Sequence, residues 1–179
     1  MQPFEKTLES EILFTGKVVT LRKDKVELQN GATAYREVVE HPGGVAVLAL
    51  DEKQNVLFVR QFRYPMRKVL LELPAGKLEK GEDPARCGLR ELEEETGYLA
   101  GDFRFLGQFY PTPGYVGEVL YLYLAGSLQA TRQKLDKDEF LSVEKIPLED
   151  ALKKCLSGEI EDAKTLVALL KYNELRRRQ

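Results

Sequence analysis

The chain contains no tryptophan, one histidine and two cysteines. Cys87 and Cys155 lie far apart, without paired spacing, so neither a zinc motif nor a disulfide framework is indicated. A reducing cytoplasm is the simplest setting for such a chain. Long apolar runs are also missing. The longest, residues 45–50, is far short of the roughly 20 residues needed to cross a bilayer, so no membrane partner is expected. The first six residues have no apolar stretch of signal-peptide type, and no period of 20–50 residues marks a repeat array. An excess of basic charge is lacking as well: the net charge is −2, and no nucleic acid partner is expected. The one basic cluster, Arg176-Arg177-Arg178, reads as a solvated helix end, where cations complement the helix dipole.

What remains describes an ordinary globular chain. Its 179 residues suit one compact domain, or a domain with a short arm. Hydrophobic residues at 43% supply a core, and charged residues at 31% supply a solvated surface.

Residues 10–29 alternate apolar and polar side chains, Asn30-Gly31 is a hairpin turn signal, and residues 35–40 form the return strand. The sequence therefore divides into an N-terminal antiparallel β unit over residues 1–42 and a main domain over 43–179. His41-Pro42-Gly43-Gly44 breaks the pattern between them. In the main domain, strands are expected at 45–50, 55–62, 70–74, 103–110 and 119–125. The clearest helix spans 83–96, with Asp83 as its cap, Pro84 at its first position and Gly97 as its stop. Pro147 opens a helix ending near Gly158, and Asp162 caps a last helix running to about Arg177. Strands and helices mix without strict alternation, which points to an α/β (α+β mixed) fold with helices packed on a mixed sheet.

At about 100° per residue, Glu95 falls about 40° and Glu94 about −60° from Glu91, so three carboxylates share one face. Leu92, Ala85 and Leu89 fall at roughly 100°, 120° and 160° and form the expected packing stripe. The acidic face opposes local stability. Like charges one turn apart cost about 0.2–0.5 kcal/mol, and anions in the last turns oppose the dipole by about 0.3–1 kcal/mol each. A bound divalent cation would reverse that sign. Oxygen-only ligands suit Mg²⁺ or Mn²⁺.

Gly76, Glu82, Arg90, Glu91, Glu94, Glu95 and Gly97 together match the Nudix box, so the chain resembles the Nudix hydrolases. The final aliphatic position of the box is Tyr98 here, a packing position. The resemblance implies a Nudix α/β/α sandwich carrying a loop–helix–loop. It implies a metal held by Glu91, Glu94 and Glu95 with the backbone carbonyl of Ala75, and Glu82 and Arg90 fixing loop and helix. It implies catalysis by Glu94, Glu95 and a base in an acidic loop after the box. Glu139 is the favoured base, with Asp136 and Asp138 as alternates.

Further likenesses narrow the subfamily. Pro113, sixteen residues past Gly97, and the stretches 36–43, 59–64 and 71–76 resemble the ADP-ribose pyrophosphatases. That likeness implies a homodimer built through the N-terminal unit. In it, Arg36, Glu37 and His41 reach the adenosine half of a substrate in the neighbouring subunit, and Arg63 contacts its pyrophosphate or adenosine side. Thr112, Pro113, Gly114 and Glu118 face the terminal ribose. Hydrolysis of another sugar nucleotide such as GDP-mannose is the alternative, and a non-catalytic ADP-ribose sensor is a third.

Overall fold

The computed structural model describes residues 4–137 and 139–178. Its contacts divide the chain into two units, which are described separately. One holds the described residues through Gly43 together with Tyr110–Val119; the other holds Gly44–Phe109 and the residues from Leu120 onward.

In the first unit, β1 (Lys6–Thr15), β2 (Thr20–Glu27) and β3 (Thr33–Glu40) form an antiparallel sheet in that order. The expected single strand over 10–29 is two strands. Gly16 turns the chain between them, its N–H donating to the Val19 carbonyl at 2.9 Å. The Asn30-Gly31 turn forms as its sequence signals: Gly31 takes a φ of 79°, and the Asn30 side chain accepts from the Ala32 N–H. The loop at 110–119 is stitched to β3 on both sides of Val39, whose N–H donates to Tyr115 and whose carbonyl accepts from Gly117.

The second unit is built around β4 (Gly44–Ala49), buried over its full length. Side chains alternate across a strand, and β4 uses both faces. Val45, Val47 and Ala49 pack with Leu57, Cys87, Leu92 and Ala125. Ala46 and Leu48 pack with Phe58, Leu148, Ala151, Leu152, Ala168 and Leu169. The first set includes α1 (Pro84–Thr96); the second includes α2 (Leu148–Ser157) and α3 (Ala163–Arg176). Helices thus cover both faces of the sheet, an α/β/α sandwich. Burying each of the Val, Leu and Phe side chains among these contributes about 1.5–3 kcal/mol.

The four-stranded sheet runs β7 (Ala75–Lys77), β4, β9 (Leu120–Ala130), β8 (Tyr98–Phe109), with β4 and β9 parallel. A three-stranded antiparallel sheet runs β10 (Leu141–Pro147), β5 (Asn55–Arg63), β6 (Lys68–Glu72). Two strands, β7 and β10, were not anticipated. Each is held by partners distant in sequence: β7 by β4, and β10 by β5. The packing stripe of α1 also differs from expectation. Leu92 is fully buried, but Leu89 is 36% exposed, and Cys87 and Gly88 take its place. A Cβ at position 88 would lie 2.8 Å from Phe103 Cζ and 2.9 Å from Val45 Cγ1. The helix therefore approaches the sheet along its smallest residue, which a count of apolar residues does not register.

Candidate active site

The acidic helix is fixed at both ends. Asp83 accepts from the N–H groups of Ala85 and Arg86, and Gly97 ends the helix in the left-handed region with φ 71°. Its acidic face is not a solvated one. Glu95 is only 2% exposed, and Glu91 is also buried. The Ala75 N–H donates to Glu95 Oε2 at 2.8 Å, tying β7 to the helix. Pro74 just before it is held on β4 by the Val47 N–H, at 2.9 Å. At Gly76 an added Cβ would lie 1.9 Å from the Glu91 carboxyl, so β7 reaches that carboxylate only because residue 76 has no side chain.

Burial shapes the charge of these groups. Loss of solvent raises the Glu95 carboxyl to about 8, against the weaker opposing pull of the Ala75 N–H. The Glu91 carboxyl is also raised, chiefly by burial and against the pull of Arg90. Arg90 is the hub of the outer side. Its Nε and Nη2 grip both oxygens of Glu82, at 3.0 and 3.1 Å, while Nη1 donates to Glu91 at 2.7 Å and to Glu94 at 2.9 Å. Glu82 also accepts from the Glu79 N–H, and the Arg90 hydrogen bonds hold its carboxyl down at about 2. Glu82 thus bridges loop to helix, and the capping itself is done by Asp83. Burial pushes the Cys87 thiol up to about 12, so it stays protonated and is no nucleophile.

A segment the sequence reading passed over brings the acidic loop to this place. After β9 the chain wraps the end of α1 and satisfies carbonyls left open there. Gln133 Nε2 donates to Glu95, the Lys134 N–H to Glu94 and the Thr131 N–H to Gly97, at 2.6, 2.9 and 2.7 Å. From there Glu139 stands close enough for its charge to raise both Glu91 and Glu95. Asp136 is exposed and accepts from the Glu139 N–H through its backbone carbonyl. Asp138 lies outside the described residues. Gln133 and Lys134 had no local signal, since their partners lie on a helix some 40 residues earlier.

Arg63, at the end of β5, also senses the charge of Glu95, and its guanidinium is held by Glu72. The structure therefore gathers Ala75, Glu91, Glu94, Glu95, Glu139 and Arg63 within the second unit. Arg36, Glu37, His41, Thr112, Pro113, Gly114 and Glu118 belong to the first unit. There Arg36 forks onto Glu5 at 2.9 and 2.6 Å, a partner the sequence reading missed, and Glu37 is exposed. His41 Nδ1 accepts from the Gly43 N–H and lies 3.4 Å from Glu118 Oε1.

Among the described residues no three His, Cys, Asp or Glu side chains stand as a closed cage for an ion. Glu91 and Glu94 are instead drawn onto one nitrogen of Arg90. The donor set nonetheless fits a hard divalent cation. It is oxygen-only, and Glu95 is a buried carboxylate whose recorded hydrogen bond is a single backbone N–H. A cation there would supply the positive charge that burial leaves missing.

The comparisons with known proteins place this α/β/α sandwich, with its glycine against a buried carboxylate helix, in one class. The chain belongs to the Nudix family: the family model described as NUDIX domain matches residues 40–169, and one described as nucleoside diphosphate sugar hydrolase N-terminal domain matches 5–39. Nudix hydrolases generally use divalent metals. The chain is 48% identical to an ADP-ribose pyrophosphatase of Bacillus subtilis (strain 168), over 92% of this chain and 90% of that protein. It is 45% identical to a methanol dehydrogenase activator of Bacillus methanolicus over the same shares. A crystal structure of an ADP compounds hydrolase superposes with TM-score 0.85 at 22% identity, covering 98% of this chain and 95% of that one, and shares its fold.

Proposed function

We propose that this chain hydrolyses the pyrophosphate bond of ADP-ribose, giving AMP and ribose 5-phosphate, with Mg²⁺ as its cofactor and Mn²⁺ as a substitute. The observation that carries the reading is the pair of buried carboxylates set against β7, Glu91 against Gly76 and Glu95 on the Ala75 N–H, in a chain so similar to an ADP-ribose pyrophosphatase.

Glu91, Glu94, Glu95 and the Ala75 carbonyl would hold the metal. When bound, it offsets phosphate charge and makes a water more acidic. Glu139 would take a proton from the attacking water as its oxygen bonds to one phosphorus; the bond from that phosphorus to the bridging oxygen breaks, and the other phosphate leaves with that oxygen. Arg63 meets the pyrophosphate as a fixed cation. Thr112, Pro113, Gly114 and Glu118 face the terminal ribose. In a homodimer, Arg36, Glu37 and His41 would serve the adenosine half in the neighbouring subunit's site, with residues 1–42 as the dimerisation arm. The two free cysteines fit a reducing cytoplasm.

Product analysis with Mg²⁺ across ADP-ribose, GDP-mannose, ADP-glucose, NADH, diadenosine polyphosphates and nucleoside triphosphates tests the substrate, with Glu95→Gln as control. AMP and ribose 5-phosphate should dominate. Faster turnover of GDP-mannose would sink ADP-ribose as substrate and leave the reaction class standing.

A further inference from the structure

Glu72, at the end of β6, is 1% exposed, and two cations converge on it. Arg63 approaches as a fork, Nε to Oε1 at 2.7 Å and Nη2 to Oε2 at 2.6 Å. Lys164 Nζ, from the first turn of α3, donates to Oε2 as well and to Asp162 Oδ1 at 2.9 Å. The other oxygen of Asp162 caps α3 through the N–H and hydroxyl of Thr165, at 3.0 and 2.6 Å. The Thr165 hydroxyl oxygen in turn accepts from the Leu73 N–H at 2.9 Å. A continuous polar chain thus runs from the start of α3, through a buried carboxylate, to a guanidinium at the end of β5.

Lysine is seldom buried, because its charge loses water and its stem loses rotamer freedom. An apolar residue at 164 would serve packing alone at less cost. Here the buried lysine completes an arrangement of charges. Lys164 shares Glu72 with Arg63 and also pairs with Asp162, so two cations and two anions balance in one cluster that holds the guanidinium in place. Two cations also keep Glu72 ionised and its carboxylate plane fixed. The Arg63 guanidinium has Nε and Nη2 committed to Glu72, while Nη1 has no hydrogen-bond partner among the described residues. The side chain is 38% exposed, so the guanidinium is not sealed from solvent.

We infer that Glu72 and Lys164 are positioning residues that clamp Arg63, so that its free Nη1 edge meets the pyrophosphate oxygens of a nucleoside diphosphate sugar. The inference rests on the functional reading above, in which Arg63 meets the substrate. An arginine fixed by two bonds loses less freedom on binding than a loose one, so the clamp acts on affinity rather than on the chemical step.

The test measures ADP-ribose binding by calorimetry in EDTA, so no turnover enters, and steady-state kinetics with Mg²⁺ beside it. Lys164→Met keeps most of the length of the side chain and removes its charge. It should weaken binding and raise KM about tenfold while kcat stays within about twofold. In an Arg63→Ala background the same change should alter binding by less than about twofold, because the clamp then holds nothing. Unchanged affinity in Lys164→Met overturns the inference. So does an equal loss in the Arg63→Ala background, which would show that the network only braces α3. Should Lys164→Met fail to fold, Lys164→Gln, which keeps a donor without charge, is measured in both backgrounds against the same outcomes. A wild-type chain that binds no ADP-ribose overturns the substrate reading itself, and the clamp with it.

Discussion

A methyl group at position 76 would sit 1.9 Å from Cδ and Oε1 of Glu91, but those atoms end a flexible side chain. The fold can therefore tolerate Gly76→Ala by letting the carboxylate swing away, and what is lost is the carboxylate's place. The expected result is a melting temperature within a few degrees of wild type and a loss of metal affinity and turnover of about 10–100-fold, the scale for disturbed ligand support. Wild-type turnover in that variant would show that Glu91 has no fixed post to lose. Glu95 yields a pH dependence of definite sign. Its carboxyl rises from 4.5 to about 8 in the metal-free fold, so the folded state holds the proton more tightly than the unfolded chain. That contribution to stability is fully present below about 4.5 and is lost as pH rises through about 8. Melting in EDTA should therefore weaken between pH 5 and 9. Glu95→Gln should flatten the slope, leaving the part due to Glu91, and added Mg²⁺ should oppose it. A metal-free protein with no slope in this window would contradict the buried, uncompensated state of Glu95.

The helix α1 and the segment 131–134 form one working element. The segment closes the helix end, and the same turn carries Glu139 toward the carboxylates. Gly97 sits at the joint. Its φ is 71°, and a Cβ there would lie 2.8 Å from the backbone nitrogen of Gln133, which cannot swing aside as a side chain can. Gly97→Ala should thus cost about 1–3 kcal/mol, read by denaturant unfolding, with turnover reduced even where folding is complete. A fully stable, fully active variant would refute the joint. This element also shows how far the sequence could be read. The helix, its cap, its stop and its three glutamates follow from neighbours within a few positions, so they were legible. So were the buried strand β4 and the start of α3 at Asp162. The wrap at 131–134, the strand β10 and the clamp of Lys164 on Glu72 were not. Each depends on partners made adjacent only by folding; Lys164 and Glu72 are 92 positions apart. The packing stripe was misread at Leu89 because close approach is set by the small Gly88, and hydrophobicity alone carries no such distance. The parts given to Arg36, Glu37, His41 and residues 112–118 rest on resemblance, because no local pattern in the sequence marks a ribose or adenosine contact.

At the scale of the whole molecule, the first unit carries an unusual surface. Every residue of β1 is exposed, and Ile12 and Phe14 are 65% and 57% exposed. Its outer edge has no strand beside it among the described residues. Exposed apolar edge strands invite pairing, and natural proteins rarely leave them bare. A second copy of the chain is the occupant the dimer reading requires, and it would bring Arg36 to a neighbouring site. In a single chain Arg36 is engaged by Glu5. That pair is exposed and so weak, and a phosphate or ribose ligand can displace it. Sedimentation at micromolar concentration should give twice the chain mass. Ile12→Lys with Phe14→Lys should give monomer whose ADP-ribose affinity falls, although Glu91, Glu95 and Arg63 are untouched in the other unit. Arg36→Ala should weaken binding in the dimer and have no further effect in that monomer, because its contribution reaches a site only across the interface. A wild-type chain that sediments as monomer alone removes the cross-subunit adenosine contact. The carboxylate centre, contained within residues 75–139, would then have to hold the substrate without it.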